Sequence, residues 1–377
     1  MEFALMGLGT SEAIPNDIAS FQRSYSLNTG NLLFNYAAKI LCNVSSQKMS
    51  WGTSPTVINR SCRGLLIPMA NHLGEHVNLG ESGPKLSGIE LPVVILGIGV
   101  QSKLGNDPVL PQGTKEWLDR IGEMKASSSP NISTRGPSSS RTITQNAPKV
   151  DSIPLGCPSY LINRHRELGS MIAERIEAID ISNISIAVSA GNPYKRELNP
   201  VEHKLISFVE LTNGSYIVQH PKIMIELSLG YATDEKASEI ARKSFFPKLD
   251  TNELSRWMRR YSRVYTSVSQ WITDIRRYDI HVGTRIHGSQ AAIQAGVPSV
   301  CLYIDSRTKE LCEQMNIPHA SALDFLEDLS IENLVKVVSS WDWNKYDQLR
   351  QANASHTLQF LQDNGVTPSE HLKKLVG

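Results

Sequence analysis

Apolar and polar positions along the chain fall into two successive series of short strands alternating with helices. In the first series, Gly64 to Pro68 is a strand-like apolar piece, and Pro92 to Gly99 is too apolar for a half-exposed strand, which suits the centre of a parallel sheet covered on both faces. Thr114 to Lys125 carries apolar residues at helical spacing through Trp117, Ile121 and Met124, and Asn131 to Thr134 and Asp151 to Cys157 read as further strands. Ahead of them a polar, broken opening of 30 residues gives way to a helix over Leu32 to Val44, with Asn28 or Thr29 as its cap. Thr56-Val57-Ile58 has the β-branched character of a short strand. The second series runs through strands at Ile184 to Ser189, Tyr216 to Gln219, Ile280 to Val282 and Ser299 to Ile304. Helices are predicted over Met171 to Ile179, Val201 to Thr212 and Ser289 to Ala295, and over Ile331 to Ser340 and Tyr346 to Gln362 at the close. This alternation predicts an α/β fold with a parallel sheet in each half.

Length divides the picture in two. At 377 residues the chain exceeds the size at which one core stops growing, so we expect domains over residues 1–165 and 166–377, with Leu161 to Ser170 crossing between them. A formal charge of +1 gives no global reason to expect nucleic acid. The longest apolar run, Leu91 to Val100, is 10 residues and includes a proline, against about 20 for a spanning helix. The N-terminus lacks the basic region and apolar core of a secretory signal, so a cytoplasmic protein is expected. Five cysteines without a CxxC pair read as reduced, mostly buried thiols. Ala126 to Thr144 is the stretch nearest to low complexity, and no metal-ligand cluster is visible. Ser255 to Arg277 interleaves arginines with Trp257, Tyr261, Tyr265 and Trp271. We read it as an amphipathic helix pair whose arginine stems cover the core edge, with peripheral membrane contact as the functional alternative.

Site chemistry concentrates in Gly283-Thr284-Arg285-Ile286-His287-Gly288. A strand ends there and a helix begins, so Arg285 and His287 stand at the carboxyl end of a parallel strand beside free helix amides, where an anion is favoured. Other strand ends repeat the theme with less chemistry. Gly97-Ile98-Gly99-Val100-Gln101 permits close approach of a ligand, Arg135 follows a short strand with serines behind it, and Ala190-Gly191-Asn192-Pro193 and His220-Pro221 close two more strands.

With Gln294-Ala295-Gly296-Val297-Pro298 and Asp305-Ser306-Arg307-Thr308-Lys309-Glu310-Leu311 following at this spacing, the chain resembles the polysaccharide pyruvyl transferase family. Asn28-Thr29-Gly30-Asn31, the Gly97 to Gln101 stretch, Arg135 with its serines and Gly156-Cys157-Pro158-Ser159 extend the resemblance upstream. It implies two Rossmann-like domains facing across a cleft, as in GT-B glycosyltransferases, with C-terminal helices closing the structure and the N-terminal domain on the acceptor side. It also implies transfer of the pyruvyl group of phosphoenolpyruvate onto a sugar as a ketal, without a cofactor or metal. On that basis His287 is the expected acid, and Arg285, Ile286, Gly288 and Arg135 the expected donor-binding residues. Asn28, Gly30, Asn31, Gly99, Gln101, Gly191, Asn192, His220 and Arg307 are expected to line the cleft. The expected partners are phosphoenolpyruvate and a saccharide acceptor, lipid-linked in one version, which would bring the protein to the inner face of the membrane. Oligomeric state and the acceptor sugar are left open. A nucleotide-sugar glycosyltransferase of GT-B type and a non-catalytic glycan-assembly partner stay open as alternatives.

Overall fold

The computed structural model describes residues 2–7, 28–102 and 108–377. Its first sheet contains β1 (Phe3–Met6), β2 (Ser45–Met49), β3 (Gly64–Pro68), β4 (Val93–Ile98), β5 (Ile132–Thr134) and β6 (Ser152–Pro154), in the order β2-β1-β3-β4-β5-β6. The second contains β7 (Ile186–Ser189), β8 (Ser215–Ile217), β9 (Ser262–Arg263), β10 (Ile280–Gly283), β11 (Ser299–Tyr303) and β12 (His319–Ser321), in the order β12-β11-β10-β7-β8-β9. Every pairing is parallel. Counted within its own half, the second order is the Rossmann order 3-2-1-4-5-6, so its crevice for ligands lies between the carboxyl ends of β7 and β10. In the first sheet the reversal falls between β1 and β3.

The uninterrupted apolar runs are explained by burial on both faces. Along β4, Val94 and Leu96 join the core that continues into the C-terminal half, while Val93, Ile95 and Ile98 join a separate cluster on the opposite face. A strand with one wet face would have needed alternating polar residues. Two parallel, helix-covered sheets with a cavity of about 810 Å³ between them make the architecture two Rossmann-like halves across a cleft. That cavity is walled by Gln101 and Ser102 from the first half and Lys195, Tyr303 and Asp305 from the second.

The crossover is tied down by the long helix Trp343–Asp363. Arg350, fully buried, donates to the carbonyls of Tyr160 (3.1 Å), His165 (2.6 Å) and Asn163. Asp347 accepts from the amides of Gly169 (2.6 Å) and Ser170 (3.0 Å) at the start of the helix Leu168–Glu177. The chain then returns to the first half, where Asn43 N donates to Thr367 O at 2.8 Å and the helix Glu370–Val376 packs on Asn31–Leu41.

Two local expectations are corrected, and a third stretch gains definition. Thr56-Val57-Ile58 lies in the helix Pro55–Ser61, because Pro55 sits at its first turn and only Ile58 is buried there; turn chemistry outweighs β-branching. The polar opening contains β1, a four-residue strand inserted beside β3; residues 8–27, where the rest of that opening falls, lie outside the described residues. The serine-rich stretch contains a regular helix, Pro137–Asn146.

The arginine-rich segment forms the helices Thr251–Tyr261 and Val268–Ile275. Trp257 and Trp271 face the core while Arg256, Arg259, Arg260, Arg276 and Arg277 are exposed, the division of an amphipathic pair. Among the described residues no helix is long and apolar enough to cross a membrane. All five cysteines are free and buried.

Candidate active site

The helix Ile286–Gln294 starts directly after β10 and is buried along its whole length, which its small residues Gly288, Ser289, Ala291 and Ala292 allow. Gly288 lies against Ser189 at the end of β7: a Cβ there would stand 1.8 Å from Ser189 Oγ. The first turn of this helix is thereby pressed into the β7/β10 crevice. Ile286 points into the core, so of this residue only the backbone can face a ligand.

His287, on the same first turn, is 8% exposed and points out of its own half. Its ring lies 5.7 Å from that of Phe34, and its Nε2 is 4.0 Å from Cys157 Sγ. A Cβ on Gly30 would come within 2.9 Å of its Nδ1, so glycine at that position is what lets the two halves meet over the imidazole. Asn28 shapes this approach as an Asx turn, its side chain accepting from Gly30 N at 3.1 Å. The expected side-chain cap on the following helix is absent, because Gly30 itself is the N-cap. Thr29 N donates to Gln219 O at 3.1 Å, closing the contact. Burial, reinforced by the positive charges of Arg135 and Arg307, drives the His287 pKa well below its ordinary value.

The arginines differ sharply in use. Arg285 donates through Nε to Ala190 O (3.2 Å) and through Nη2 to Gly191 O and His220 O (both 3.1 Å), binding together the ends of β7, β8 and β10. Burial and the nearby Arg307 lower its pKa to about 10, against the pull of Glu202. Arg135 is fully buried at the end of β5. It donates to Gly97 O (2.9 Å) and Met69 O (3.4 Å) and lies 5.7 Å from the Phe34 ring centroid, with its stem across Gly99. Its Nη1 is buried and has no acceptor, and among the described residues no carboxylate forms an ion pair with it. Arg307 repeats the pattern: Nη2 sits 3.6 Å from Asp305, while Nε is buried without an acceptor. Phe34 therefore neighbours both His287 and Arg135, and Arg307 acts electrostatically on Arg135, Arg285 and His287 alike.

The remaining expected residues divide. Gly191 serves through its backbone, accepting from Arg285 and donating to Glu202 at 3.0 Å, and the carbonyl of His220 accepts from Arg285. Gln101 pairs with Asn71 on the wall of the inter-half cavity. Asn31 lines a second cavity, of about 1010 Å³, at the β1/β3 reversal beside Asn35, Trp51, Asn71 and His72. Asn192 makes a turn, accepting from Tyr194 N at 3.1 Å, and is not brought to His287 by any contact.

Several participants escaped the sequence reading. Glu202 is 2% exposed, accepts from the Tyr216 hydroxyl and is pushed by burial up to about 7, which partly balances Arg285. Phe34 and Gln219 carry no motif. Cys157 lies in the Gly156-Cys157-Pro158-Ser159 stretch and is held by Ser159 Oγ at 3.0 Å, a detail that only the fold reveals. Glu310 stands inside a recognised motif, and its role required knowing what lies across the cleft.

Comparisons with known proteins agree with this arrangement at the level of family. None of the curated proteins matches the sequence. Among solved structures, the chain is similar to a UDP-GlcNAc 2-epimerase from Methanocaldococcus jannaschii (11% identity, 95% of this chain and 99% of that one, TM-score 0.42). It is also similar to a wall teichoic acid polymerase (10%, 99% and 86%, 0.39). A third is an α,α-trehalose-phosphate synthase from Burkholderia vietnamiensis (8%, 96% and 75%, 0.36). Residues 85–306, which contain β4 through the start of the helix after β11 and with them Arg135, Cys157, Arg285 and His287, match the family description, and the chain belongs to the polysaccharide pyruvyl transferase family.

Proposed function

We propose that the protein transfers the pyruvyl group of phosphoenolpyruvate to two hydroxyls of a saccharide, with the donor bound between Arg135, Arg307 and the amides opening the helix Ile286–Gln294. The observation that carries this reading is the Arg135 guanidinium: fully buried, without an ion pair among the described residues, with Nη1 unsatisfied and its charge felt by His287. Cys157 and Glu310 favour its charge without pairing with it, and a buried charge lacking an ion pair is costly unless an anion completes it. Phosphoenolpyruvate brings a phosphate and a carboxylate, which two arginines and a helix N-terminus suit.

In the reaction, His287 delivers a proton to the C3 methylene of the donor, leaving an oxocarbenium-like C2. A sugar hydroxyl adds to C2 and returns its proton to His287. The C2–O bond to phosphate breaks, the second hydroxyl closes the ketal, and its proton leaves with inorganic phosphate. The free protein holds His287 neutral. Burial is the larger cause, and bound phosphate and carboxylate offset the positive field that Arg135 and Arg307 add to it, which raises the His287 pKa toward that of a working acid.

The second cavity, with Trp51, Asn31 and Asn71 on its walls, has the aromatic and amide groups that suit a saccharide. We infer that the acceptor enters there, and that the exposed arginines of Thr251–Tyr261 meet a membrane when the acceptor is lipid-linked.

Thermal unfolding tests the donor. Phosphoenolpyruvate at about 100 times its dissociation constant adds roughly 2.7 kcal/mol, while uridine nucleotides leave the transition unchanged. The reverse result would favour a nucleotide-sugar transferase. Phosphate release with a panel of galactosides, glucosides and mannosaminides then identifies the acceptor, and release with none of them would point to the non-catalytic reading.

A further inference from the structure

The helix Ser306–Gln314 directs three side chains at four-residue spacing, and therefore on one face, across to the first half. Ser306 Oγ donates to Ser102 O at 2.9 Å, just beyond β4. Glu310 accepts from Ser139 N at 2.9 Å and from Ser139 Oγ at 2.8 Å, on the first turn of the helix after β5. Gln314 Nε2 donates to Pro154 O at 3.0 Å, at the end of β6. The helix thus lies along the carboxyl ends of three adjacent strands of the opposite sheet, tied to each by a side-chain hydrogen bond.

Glu310 is the charged member of the three and the most deeply set. Ser139 is fully buried and Glu310 is 9% exposed, and Ser139 Oγ also accepts from Val100 N at 3.1 Å, so the carboxylate is joined through one hydroxyl to the strand end beside Gly99. Gly136 makes room for it: a Cβ there would lie 2.5 Å from Glu310 Cγ. A carboxylate on the first turn of a helix also meets the positive end of its dipole. Arg135 is the residue directly before Gly136, and Arg307 precedes Glu310 by three residues on the same helix.

We propose that Glu310 is a positioning residue: by capping the helix Pro137–Asn146 from the other half of the molecule, it fixes the separation of Arg135 from Arg307 and His287 and so assembles the anion site from both halves. It acts through these arginines without touching the donor. The kinetic part of this inference rests on the phosphoenolpyruvate reading above; the geometric part does not.

The experiment has two arms. In the first, KM for phosphoenolpyruvate is measured for Glu310→Ala, Glu310→Gln, Ser139→Ala and the Glu310→Ala/Ser139→Ala pair. Removing the carboxylate raises KM by at least about tenfold with a smaller change in kcat, Glu310→Gln recovers part of the loss, and the pair is no worse than Glu310→Ala alone. In the second arm, spin labels at Asp119→Cys and Lys204→Cys, exposed positions on the two halves, report the distance between them without any substrate, and Glu310→Ala broadens or lengthens it. If wild-type protein does not bind phosphoenolpyruvate but the distance still changes in Glu310→Ala, the functional reading fails and the tie between halves stands. An unchanged distance distribution together with an unchanged KM in folded Glu310→Ala overturns the proposal.

Discussion

Two arginines end two strands in opposite halves, and they have been put to opposite uses. Arg285 closes its own half, spending Nε and Nη2 on the carbonyls of Ala190, Gly191 and His220. Arg135 is more deeply buried, yet it keeps Nη1 unsatisfied, and its charge acts on His287. The difference teaches that the arginine in the more recognisable motif is engaged by backbone carbonyls, while the one in the weaker motif keeps a buried donor without an acceptor.

The largest expected effect falls on the residue between them. His287→Ala lowers kcat by about 10²- to 10⁴-fold with little change in the unfolding transition, measured as phosphate release in the presence of acceptor. Next come the arginines themselves. Arg135→Met removes a charge-assisted bond and weakens phosphoenolpyruvate binding by roughly 10- to 100-fold, from about 1.5–3 kcal/mol, whereas Arg285→Lys lowers thermal stability more than it lowers donor affinity because its carbonyl contacts are structural. Equal losses of affinity in the two variants would erase the contrast drawn here.

A smaller effect tests the field around the imidazole. His287 is neutral in the free protein because burial and two arginines depress its pKa, and donor anions raise it again, so binding takes up a proton. Calorimetry in two buffers of different ionisation enthalpy reads that uptake directly, and Arg135→Met diminishes it.

The smallest effect is on stability. His72 and His281 are lowered by burial to about 4 and about 3, and Arg135 also acts on His72. Below about pH 6.5 the unfolded chain protonates these imidazoles while the folded chain does not, so their contribution is lost as the pH falls toward 4. Glu202 opposes them. Its raised pKa of about 7 means that the folded state holds its proton between the unfolded carboxylate value and pH 7, so its contribution favours folding as the pH drops. With His287 added, the histidines outnumber it, and urea midpoints fall between pH 6.5 and 5. Glu202→Gln steepens that fall.

Much of the fold was legible because it is written in local pattern. Val93 to Ile98 is buried on both faces and reads as such, Ser299 to Tyr303 reads as a strand and is one, and the break between β10 and its helix is marked by Gly283 and Thr284. Misreadings arose where a local signal pointed two ways, as at Thr56-Val57-Ile58, where proline at a first turn outweighed β-branched residues. Of the site, sequence spacing located Arg285 and His287 but not their division of labour, since the carbonyls that occupy Arg285 come from residues 65 to 95 positions away. Glu310 and Ser139 are 171 positions apart. Nothing in a periodicity or a motif brings such residues together; only the facing of two sheets does.

The central claim is that a donor anion completes Arg135 beside His287. Isothermal titration of phosphoenolpyruvate into the wild-type protein and into Arg135→Met tests it most directly. The account predicts saturable binding with proton uptake in the wild type and a loss of at least about tenfold in affinity in the variant. No binding to the wild type, or the same affinity in both, would contradict it.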